Sequence, residues 1–262
     1  MATDPKTINH YNENADGYHR HVSDPNESTF HAYYEKPAIR AELPPLTGLD
    51  VISIGCGSGV DARWLADNGA KKVVGVDIST GLIEIAMREN PDLEFQVMDM
   101  EQLSFKDESF DLAYSSLAIH YVDDWTQPLK EAYRILKPRG SYVFSCGHPI
   151  DSAVEYRSEN GYKYALLGRK VNQATRERTI YGDYLAADSD GVKPVKGILA
   201  DMEITVYHRT FSKMLEQIQA AGFKIERMVE PQPTEGMKVA DPQVFEQLSK
   251  IPCFMIWVLR KQ

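Results

Sequence analysis

The chain has 262 residues, 43% of them hydrophobic and 26% charged, which is enough to bury a sizeable core in a single domain. Its 38 acidic and 29 basic side chains give a net charge of −9 at pH 7, which disfavours nucleic acid as the main partner and favours a small molecule. The three cysteines lie far apart, the first residues lack a signal peptide, and no apolar run is long enough to span a membrane. We therefore expect a cytoplasmic protein without disulfides, structural zinc or a membrane partner.

The most informative pattern lies where two apolar runs end about twenty residues apart. The first begins at Asp50 and leads into the glycine turn of VISIGCGSG, and the second, VVGVDIS, carries Asp77 at its end. Runs of β-branched residues without alternation predict strands that are covered on both faces of a parallel sheet. A helix is predicted at about residues 59–68, so that its first N–H groups and Asp77 face one ligand. The glycines of the turn are Gly55, Gly57 and Gly59.

Further along the chain, strands continue to alternate with helices. Helices are predicted after Ser79, from about Trp125 to a stop at Lys137-Pro138-Arg139-Gly140, and from Phe211. A loop with three prolines is predicted between the last two strands, and it is too long for a tight hairpin. The remaining strands are predicted at residues 93–98, 110–114, 141–146, 223–230 and 253–260.

This order predicts an α/β fold with one doubly wound, Rossmann-like, mostly parallel sheet. The single domain, 1–262, is expected to have four parts. They are an N-terminal arm or lid (1–45), a core that binds the ligand (46–146), a cap insertion after the fifth strand (147–208), and a C-terminal helix with strands that complete the sheet (209–262).

The motifs of the core resemble those of the class I methyltransferases. VISIGCGSG is similar to their first motif and VVGVDIS to their acidic second strand; FQVMDMEQL, FDLAYSSLAIHYV and EAYRILKPRGSYVFS follow in the family's order. The position three after Gly57 is Val60, not the third glycine of a dinucleotide-binding turn, which favours a ligand without phosphates. The resemblance implies S-adenosylmethionine as cofactor, S-adenosylhomocysteine as product, and a seven-stranded sheet whose last strand is antiparallel.

The resemblance also implies roles for residues at the ends of the strands. The turn glycines would line the methionine part of the cofactor, Asp77 would hold the ribose, and Ile78 would pack on the adenine. Asp99 would accept from the adenine amino group, and the N–H of Met100 would meet a ring nitrogen. The full cofactor-binding set is Gly55, Cys56, Gly57, Gly59, Asp77, Ile78, Asp99, Met100, Glu101 and Ser115, with Tyr11 and Tyr18 of the arm as a lid.

A general base is harder to assign than the cofactor residues, because many methyl acceptors are already nucleophilic. His120 in SLAIHYV is the best candidate, with His148 in CGHPI as the second catalytic candidate; a packing role for His120 is the alternative. Residues expected to contact the substrate are Tyr34, His120, Tyr121, His148 and His208. Two further alternatives stay open. One is that Cys56 is a packing residue of the turn instead of a reactive group, and the other is that Tyr11 and Tyr18 anchor the arm instead of covering the cofactor.

These patterns predict a metal-independent methyltransferase that acts on a small molecule, since no cluster of carboxylates or amides follows the fourth and fifth strands. Two alternatives remain at this stage: an NAD(P)-dependent oxidoreductase, and a non-catalytic regulatory module that binds S-adenosylmethionine. SSLAIHYVDDW also resembles the malonyl-carrier-protein methyltransferases, which makes a carrier-bound carboxylate one specific acceptor. The sequence leaves the acceptor atom and the oligomeric state open.

Overall fold

The computed structural model describes residues 3–262 of the chain. The α-helices formed within that range are α1 (Pro5–Glu13), α2 (Ala15–Ser23), α3 (Lys36–Ala41), α4 (Val60–Asp67), α5 (Thr80–Glu89), α6 (Thr126–Ile135), α7 (Pro149–Ser152), α8 (Phe211–Ala220), α9 (Glu235–Ala240) and α10 (Pro242–Leu248). A π-helical turn covers His31–Glu35 and a 3-10 turn covers Ile119–Tyr121.

The strands alternate with these helices in the first half of the chain and form hairpins in its second half. They are β1 (Asp50–Ile54), β2 (Lys72–Asp77), β3 (Glu94–Val97), β4 (Phe110–Ser115), β5 (Leu136–Gly147), β6 (Glu155–Glu159), β7 (Tyr162–Leu166), β8 (Gly168–Val171), β9 (Arg178–Tyr181), β10 (Val192–Leu199), β11 (Met202–Arg209), β12 (Lys224–Val229) and β13 (Phe254–Arg260).

Seven strands form the main sheet, in the order β12-β13-β5-β4-β1-β2-β3. β1 pairs in parallel with β2 and β4, and the pairs β2–β3 and β4–β5 are also parallel. β13 runs antiparallel to both of its neighbours. The predicted doubly wound sheet with an antiparallel last strand is therefore confirmed, and its parallel strands end at one edge.

Apolar side chains cover the sheet on both faces. On one face, Leu129 of α6 and Ile218 of α8 are fully buried in a cluster with residues of β4, β5 and β13. On the other face, Ile39 of α3 and Leu65 of α4 are fully buried against β1 and β2. Because helices cover both faces, the accessible region lies beyond the strand ends, where the arm and the cap meet.

The cap consists of three two-stranded hairpins, β6–β7, β8–β9 and β10–β11. The last of them is joined to the arm: the N–H of Thr205 donates to Oγ1 of Thr7 at 3.0 Å, and the hydroxyl of Thr205 donates to Oδ2 of Asp4 at 3.0 Å. Nδ1 of His10 donates to the carbonyl oxygen of Glu203 at 2.6 Å. The arm thus bridges the cap and the core.

The helix predicted to end at Lys137-Pro138-Arg139-Gly140 ends earlier, at Ile135, because Leu136 begins β5. Leu136 has φ −75° and ψ 139°. Pro138 favours an extended conformation in the residue before it, so the chain has left the helix before the proline.

The proline-containing loop predicted before the last strand contains two short helices, α9 and α10. Pro242 occupies the first turn of α10, where its missing N–H costs no hydrogen bond. Asp241 caps the same helix by accepting from the N–H groups of Gln243 and Val244, each at 3.0 Å. The proline therefore starts a helix here, where the sequence analysis expected it to mark a loop. None of the helices formed by residues 3–262 is long and apolar enough to cross a bilayer.

Candidate active site

A cavity that is partly open to solvent lies at the carboxyl ends of β1, β2 and β4, underneath the arm. It contains most of the residues predicted to bind the cofactor. The lining residues are Thr3, Thr7, Ile8, Tyr11, Tyr18, Ile54, Gly55, Gly57, Val76, Asp77, Ile78, Ser79, Leu82, Met98, Asp99, Met100, Ser116, Leu117, Ala118 and Tyr121.

The glycine turn forms the floor of this cavity. Gly55 has φ +67°, and a Cβ on it would come within 2.3 Å of the Cβ of Ala118, so only glycine fits between the turn and the loop after β4. Gly59 was predicted to line the site, but it does not. A Cβ on Gly59 would lie 3.0 Å from the side chains of both Asn90 and Phe95, so this glycine permits close packing of α4 against its neighbours.

Asp77 is fixed by two backbone donors at the end of β2. Its Oδ2 accepts from the N–H of Gly57 at 2.8 Å, and its Oδ1 accepts from the N–H of Ser79 at 2.9 Å. Burial raises the pKa of Asp77, and these two hydrogen bonds oppose that rise. Each carboxylate oxygen has a second lone pair, so the group can still accept hydrogen bonds from a diol in the cavity.

Ile78, Asp99 and Met100, which were predicted to contact the adenine, form the neighbouring wall of the cavity. Oδ1 of Asp99 accepts from the N–H of Glu101 at 3.0 Å, which orients the carboxylate. Glu101 itself is not among the lining residues, so its contribution is to hold Asp99 in place and not to contact the cavity. Met98 and Leu82, which the sequence analysis missed, add apolar surface to this wall.

Three tyrosines close the cavity on the side of the arm. The hydroxyl groups of Tyr11 and Tyr121 lie 2.6 Å apart, and the ring of Tyr11 meets that of Tyr18 edge to face at 5.0 Å. Burial raises the pKa of Tyr121 to about 12 and also raises the pKa of Tyr11 and Tyr18, so all three phenols are neutral. The arm therefore covers the cavity with uncharged aromatic side chains.

A second, more polar cavity adjoins the first and shares four residues with it. Lys36 lies in it with its ammonium nitrogen 3.8 Å from Oδ1 of Asp61, and Arg40 donates to the same oxygen at 2.7 Å. A cation and a carboxylate side by side match a zwitterionic amino-acid group. The lining residues are Tyr18, Val22, His31, Lys36, Ser53, Gly55, Cys56, Gly57, Ser58, Val60, Asp61, Tyr114 and Ser116.

Cys56 reaches this second cavity but has the environment of a packed thiol. Burial raises its pKa well above the usual value, with the nearby carboxylate of Asp77 acting in the same direction. Its Sγ lies 3.6 Å from the carbonyl oxygen of Gly57. A thiol that stays protonated is a poor nucleophile, so the arrangement favours packing of the turn.

Glu35 is a fully buried carboxyl group that the sequence analysis missed. Its Oε1 accepts from the hydroxyls of Ser145 and Ser116, the latter at 3.0 Å. Its Oε2 has no hydrogen-bond partner among residues 3–262. Burial raises the pKa of Glu35 to about 7, with Asp61 adding to the rise. Nothing in the local sequence distinguishes it, because only the folded arm brings it under the ends of β4 and β5.

His120 lies in the 3-10 turn after β4, with its ring centroid 4.7 Å from that of Tyr121 on the cavity wall. Its Nδ1 accepts from the N–H of Gly147 at 3.3 Å. Burial lowers the pKa of His120 to about 4, and His31 and Arg209 add to this effect. The histidine is therefore neutral at pH 7. It lies beside Tyr121 but is not among the residues that line either cavity, and its predicted roles as a base and as a substrate contact stay predictions.

His148 and His208 were predicted to face the site, but their rings are fixed elsewhere. His148 is fully buried, and its Nε2 lies 3.0 Å from Oε1 of Glu230. His208 donates from Nε2 to the carbonyl oxygen of Tyr184 at 2.8 Å and accepts on Nδ1 from the hydroxyl of Ser152 at 2.7 Å. Neither lines either cavity, because hydrogen bonds within the cap and to the loop after β12 hold both rings away from it.

Tyr34 and Ser115 also lie outside the cavities. Tyr34 is fully buried, and its hydroxyl accepts from the N–H of Cys253 at 3.3 Å, so it packs the arm against the start of β13. Ser115, the last residue of β4, is also fully buried. Ser116, one residue later, lines both cavities, because successive residues at a strand end point to opposite sides.

Among residues 3–262, no group of three or more His, Cys, Asp or Glu side chains is arranged to hold a metal ion. The side chains present fit S-adenosylmethionine instead. Asp77 is suited to the ribose, the apolar wall beside Ile78 to the adenine, and Lys36 with Asp61 to the amino-acid end.

Comparisons with known proteins agree with this geometry. Residues 52–144 match the family model described as a methyltransferase domain. A solved S-adenosylmethionine-dependent methyltransferase from Mesorhizobium loti is 31% identical with a TM-score of 0.68, covering 86% of this chain and 97% of that one.

Two curated relatives extend the similarity along the chain. An uncharacterized protein of Haemophilus influenzae is 27% identical over 240 residues, which is 87% of each protein. The malonyl-[acyl-carrier protein] O-methyltransferase of Salmonella typhimurium is 30% identical over 187 residues, covering 64% of this chain and 72% of the relative. From its motifs, its sheet and these similarities, the chain belongs to the class I S-adenosylmethionine-dependent methyltransferases.

Proposed function

We propose that the enzyme transfers the methyl group of S-adenosylmethionine to a small-molecule acceptor by in-line displacement without a metal. The observation that carries this proposal is the cover over the first cavity, which Tyr11 and Tyr18 of the arm line together with Tyr121. A cleft at the strand ends that is covered by the protein's own arm favours a small acceptor over a nucleic acid or a folded protein surface.

The chain's own residues would bind and orient the cofactor. Asp77 would accept hydrogen bonds from the ribose hydroxyls, and Ile78 with Met100 would contact the adenine. Lys36 would bind the carboxylate of the methionine part and Asp61 its ammonium group. These roles rest on the lining of the two adjoining cavities and on the charges placed there.

The arm would exclude water from the reacting groups. When bound, the cofactor supplies a methyl group activated by a sulfonium, and S-adenosylhomocysteine is left behind. Tyr11, Tyr18 and Tyr121 are neutral phenols that would surround this cation without competing for the methyl group. Alignment and desolvation are then the main contributions of the protein to the rate.

The test is a comparison of acceptor classes at a fixed concentration of S-adenosylmethionine, with release of S-adenosylhomocysteine as the readout. The low-molecular-mass fraction of a cell extract is expected to support turnover, and purified RNA and protein fractions are not. A reaction without enzyme gives the background, and Asp77→Asn, with its weakened cofactor site, should give less turnover than the wild type at the same cofactor concentration. Turnover only with RNA, or only with protein fractions that contain no acyl-carrier protein, would refute the small acceptor.

A second candidate is a small acceptor that is presented on a carrier protein. The named activity of the Salmonella relative supports it. So does the charge of the cap, because residues 155–181 carry six basic and three acidic side chains in a chain whose net charge is −9. These hairpins are largely exposed, so they could contact an acidic carrier.

Charge reversal in the cap separates the two candidates. If the acceptor is carrier-bound, replacing Arg169 and Lys170 by Glu should raise the KM for a malonyl-carrier protein and leave the KM for a free malonyl thioester unchanged. If both KM values equal those of the wild type, the basic side chains of the cap do not contribute to binding of the carrier, and the second candidate is refuted.

A further inference from the structure

The hydrogen bond between Gly147 and His120 fixes where the proton of this histidine resides. A neutral imidazole has one nitrogen that donates and one that accepts. The N–H of Gly147 can only donate, and it points at Nδ1. The proton of the neutral ring must therefore lie on Nε2, which makes Nε2 a donor.

A general base needs a free lone pair, and this tautomer has none. The lone pair on Nδ1 is used by the N–H of Gly147. Nε2 makes no hydrogen bond within residues 3–262, and the side chain is not fully buried, so its N–H is available to a bound molecule. The position suits a group that orients an oxygen atom next to the cavity wall formed by Tyr121.

A buried positive charge lies close to the turn that carries His120. Arg209 is 1% exposed, and its guanidinium packs 4.4 Å from the ring centroid of Trp125. Its Nη2 donates to the carbonyl oxygens of Val122 and Asp123, at 3.2 and 2.6 Å, just after the turn that carries His120.

The charge of Arg209 has no close counter-ion in the part of the chain that the structure describes. Nε and Nη1 have no hydrogen-bond partner there, and no ion pair of residues 3–262 includes this side chain. The carboxylates of Asp123 and Asp124 act on it only from a distance. A buried charge without a partner is costly, and an anion bound nearby would offset part of that cost.

We propose that His120 donates a hydrogen bond from Nε2 to a carboxylate oxygen of the acceptor, which is already anionic when it binds. Arg209 acts as a positioning residue, because it holds the turn and supplies the positive field. The inference rests on the proposed methyl transfer to a small acceptor.

The reaction that follows needs no proton transfer. An oxygen of the carboxylate attacks the methyl carbon, so that a C–O bond forms as the C–S bond breaks. The electron pair of that bond returns to sulfur, the cation and the anion are both neutralised, and the products are a methyl ester and S-adenosylhomocysteine. A donor on the carboxylate would hold the attacking oxygen in line.

The tautomer can be measured directly by NMR on protein with ¹⁵N-labelled histidines, saturated with S-adenosylhomocysteine at pH 7. The resonances of His120 are assigned as those missing from the His120→Gln variant. The expected result is a neutral ring protonated on Nε2. A ring protonated on Nδ1, or a charged ring, would overturn the donor role.

The carboxylate is tested on the same complex with three acids, a malonyl thioester, octanoate and phenylacetate, each compared with its methyl ester. At least one acid is expected to shift the Nε2 resonance, and its ester is not. An equal shift by acid and ester, or no shift by any acid, would refute the anionic acceptor.

Variants add a quantitative check. Gln places a donor near the position of Nε2 but cannot act as a base, so His120→Gln should bind that acid within about threefold of the wild type, and His120→Ala should lose about tenfold or more. Equal losses in both variants would contradict the donor role. Titration with S-adenosylhomocysteine alone reports on the cofactor site, so a failure there is distinguishable from a failure of this inference.

Discussion

Replacing Glu35 by Gln is expected to remove a pH dependence from the stability of the fold. The carboxyl group is fully buried, and its pKa rises from 4.5 to about 7. The folded state therefore holds this proton more tightly than the unfolded state does. Below pH 4.5 the carboxyl group is protonated in both states, and its contribution to the free energy of unfolding is complete. As the pH rises through 7, this contribution is lost.

The magnitude follows from the size of the shift. At about 1.36 kcal/mol per pKa unit, the rise to about 7 corresponds to roughly 3 kcal/mol lost at pH values well above 7. A glutamine cannot ionise, and it can retain hydrogen bonds to the hydroxyls of Ser116 and Ser145. The variant should thus resemble the wild type at pH 5 and be the more stable protein at pH 8.5.

The assay is chemical unfolding of the wild type and Glu35→Gln between pH 5 and 8.5, without cofactor. The difference between their free energies of unfolding cancels the titration of all other groups and should grow by up to about 3 kcal/mol over this range. Glu13→Gln, at an exposed position of α1, is the matched control for the loss of a carboxylate at the surface. A difference for Glu35→Gln that does not change with pH would refute the raised pKa.

Three further changes test the cavity and its cover. Asp77→Asn should weaken S-adenosylmethionine binding by about 1 to 3 kcal/mol in a calorimetric titration, and the exposed Asp188→Asn should leave it unchanged. Gly55→Ala should lower the free energy of unfolding by more than about 1 kcal/mol, because the new Cβ would lie 2.3 Å from the Cβ of Ala118 and the backbone φ is +67°. A melting temperature equal to that of the wild type would contradict this clash. Tyr11→Phe removes the hydroxyl contact across the cavity and should cost about 1 kcal/mol of cofactor affinity, so an unaltered Kd would show that the arm closes without it.

The sheet and the cofactor wall could be predicted because their signals are local. Apolar strands, a glycine turn and an acid at a strand end occupy consecutive positions, and the turn around Gly55 permits few other structures. Asp77, Ile78, Asp99 and Met100 all line the cavity where the motif order predicted them.

The polar cavity and the positions of the histidine rings could not be predicted in the same way. Glu35 and Lys36 reach the strand ends only because the arm folds back, and their sequence neighbourhood is that of an ordinary amphipathic segment. His148 follows a strand as an active-site residue would, but the decisive partner, Glu230, lies 82 positions further along the chain. Contacts of that separation depend on tertiary packing and leave no periodic pattern.

Because α1 is joined on one side to the cofactor cavity and on the other to the hairpin β10–β11, occupancy of the cavity and docking of the cap are thermodynamically linked. A cofactor that stabilises the closed arm would raise the affinity for an acceptor held under the cap, and the acceptor would raise the affinity for the cofactor by the same coupling energy. The two ligands are therefore expected to bind cooperatively, and the undocking of α1 is expected to accompany release of the product.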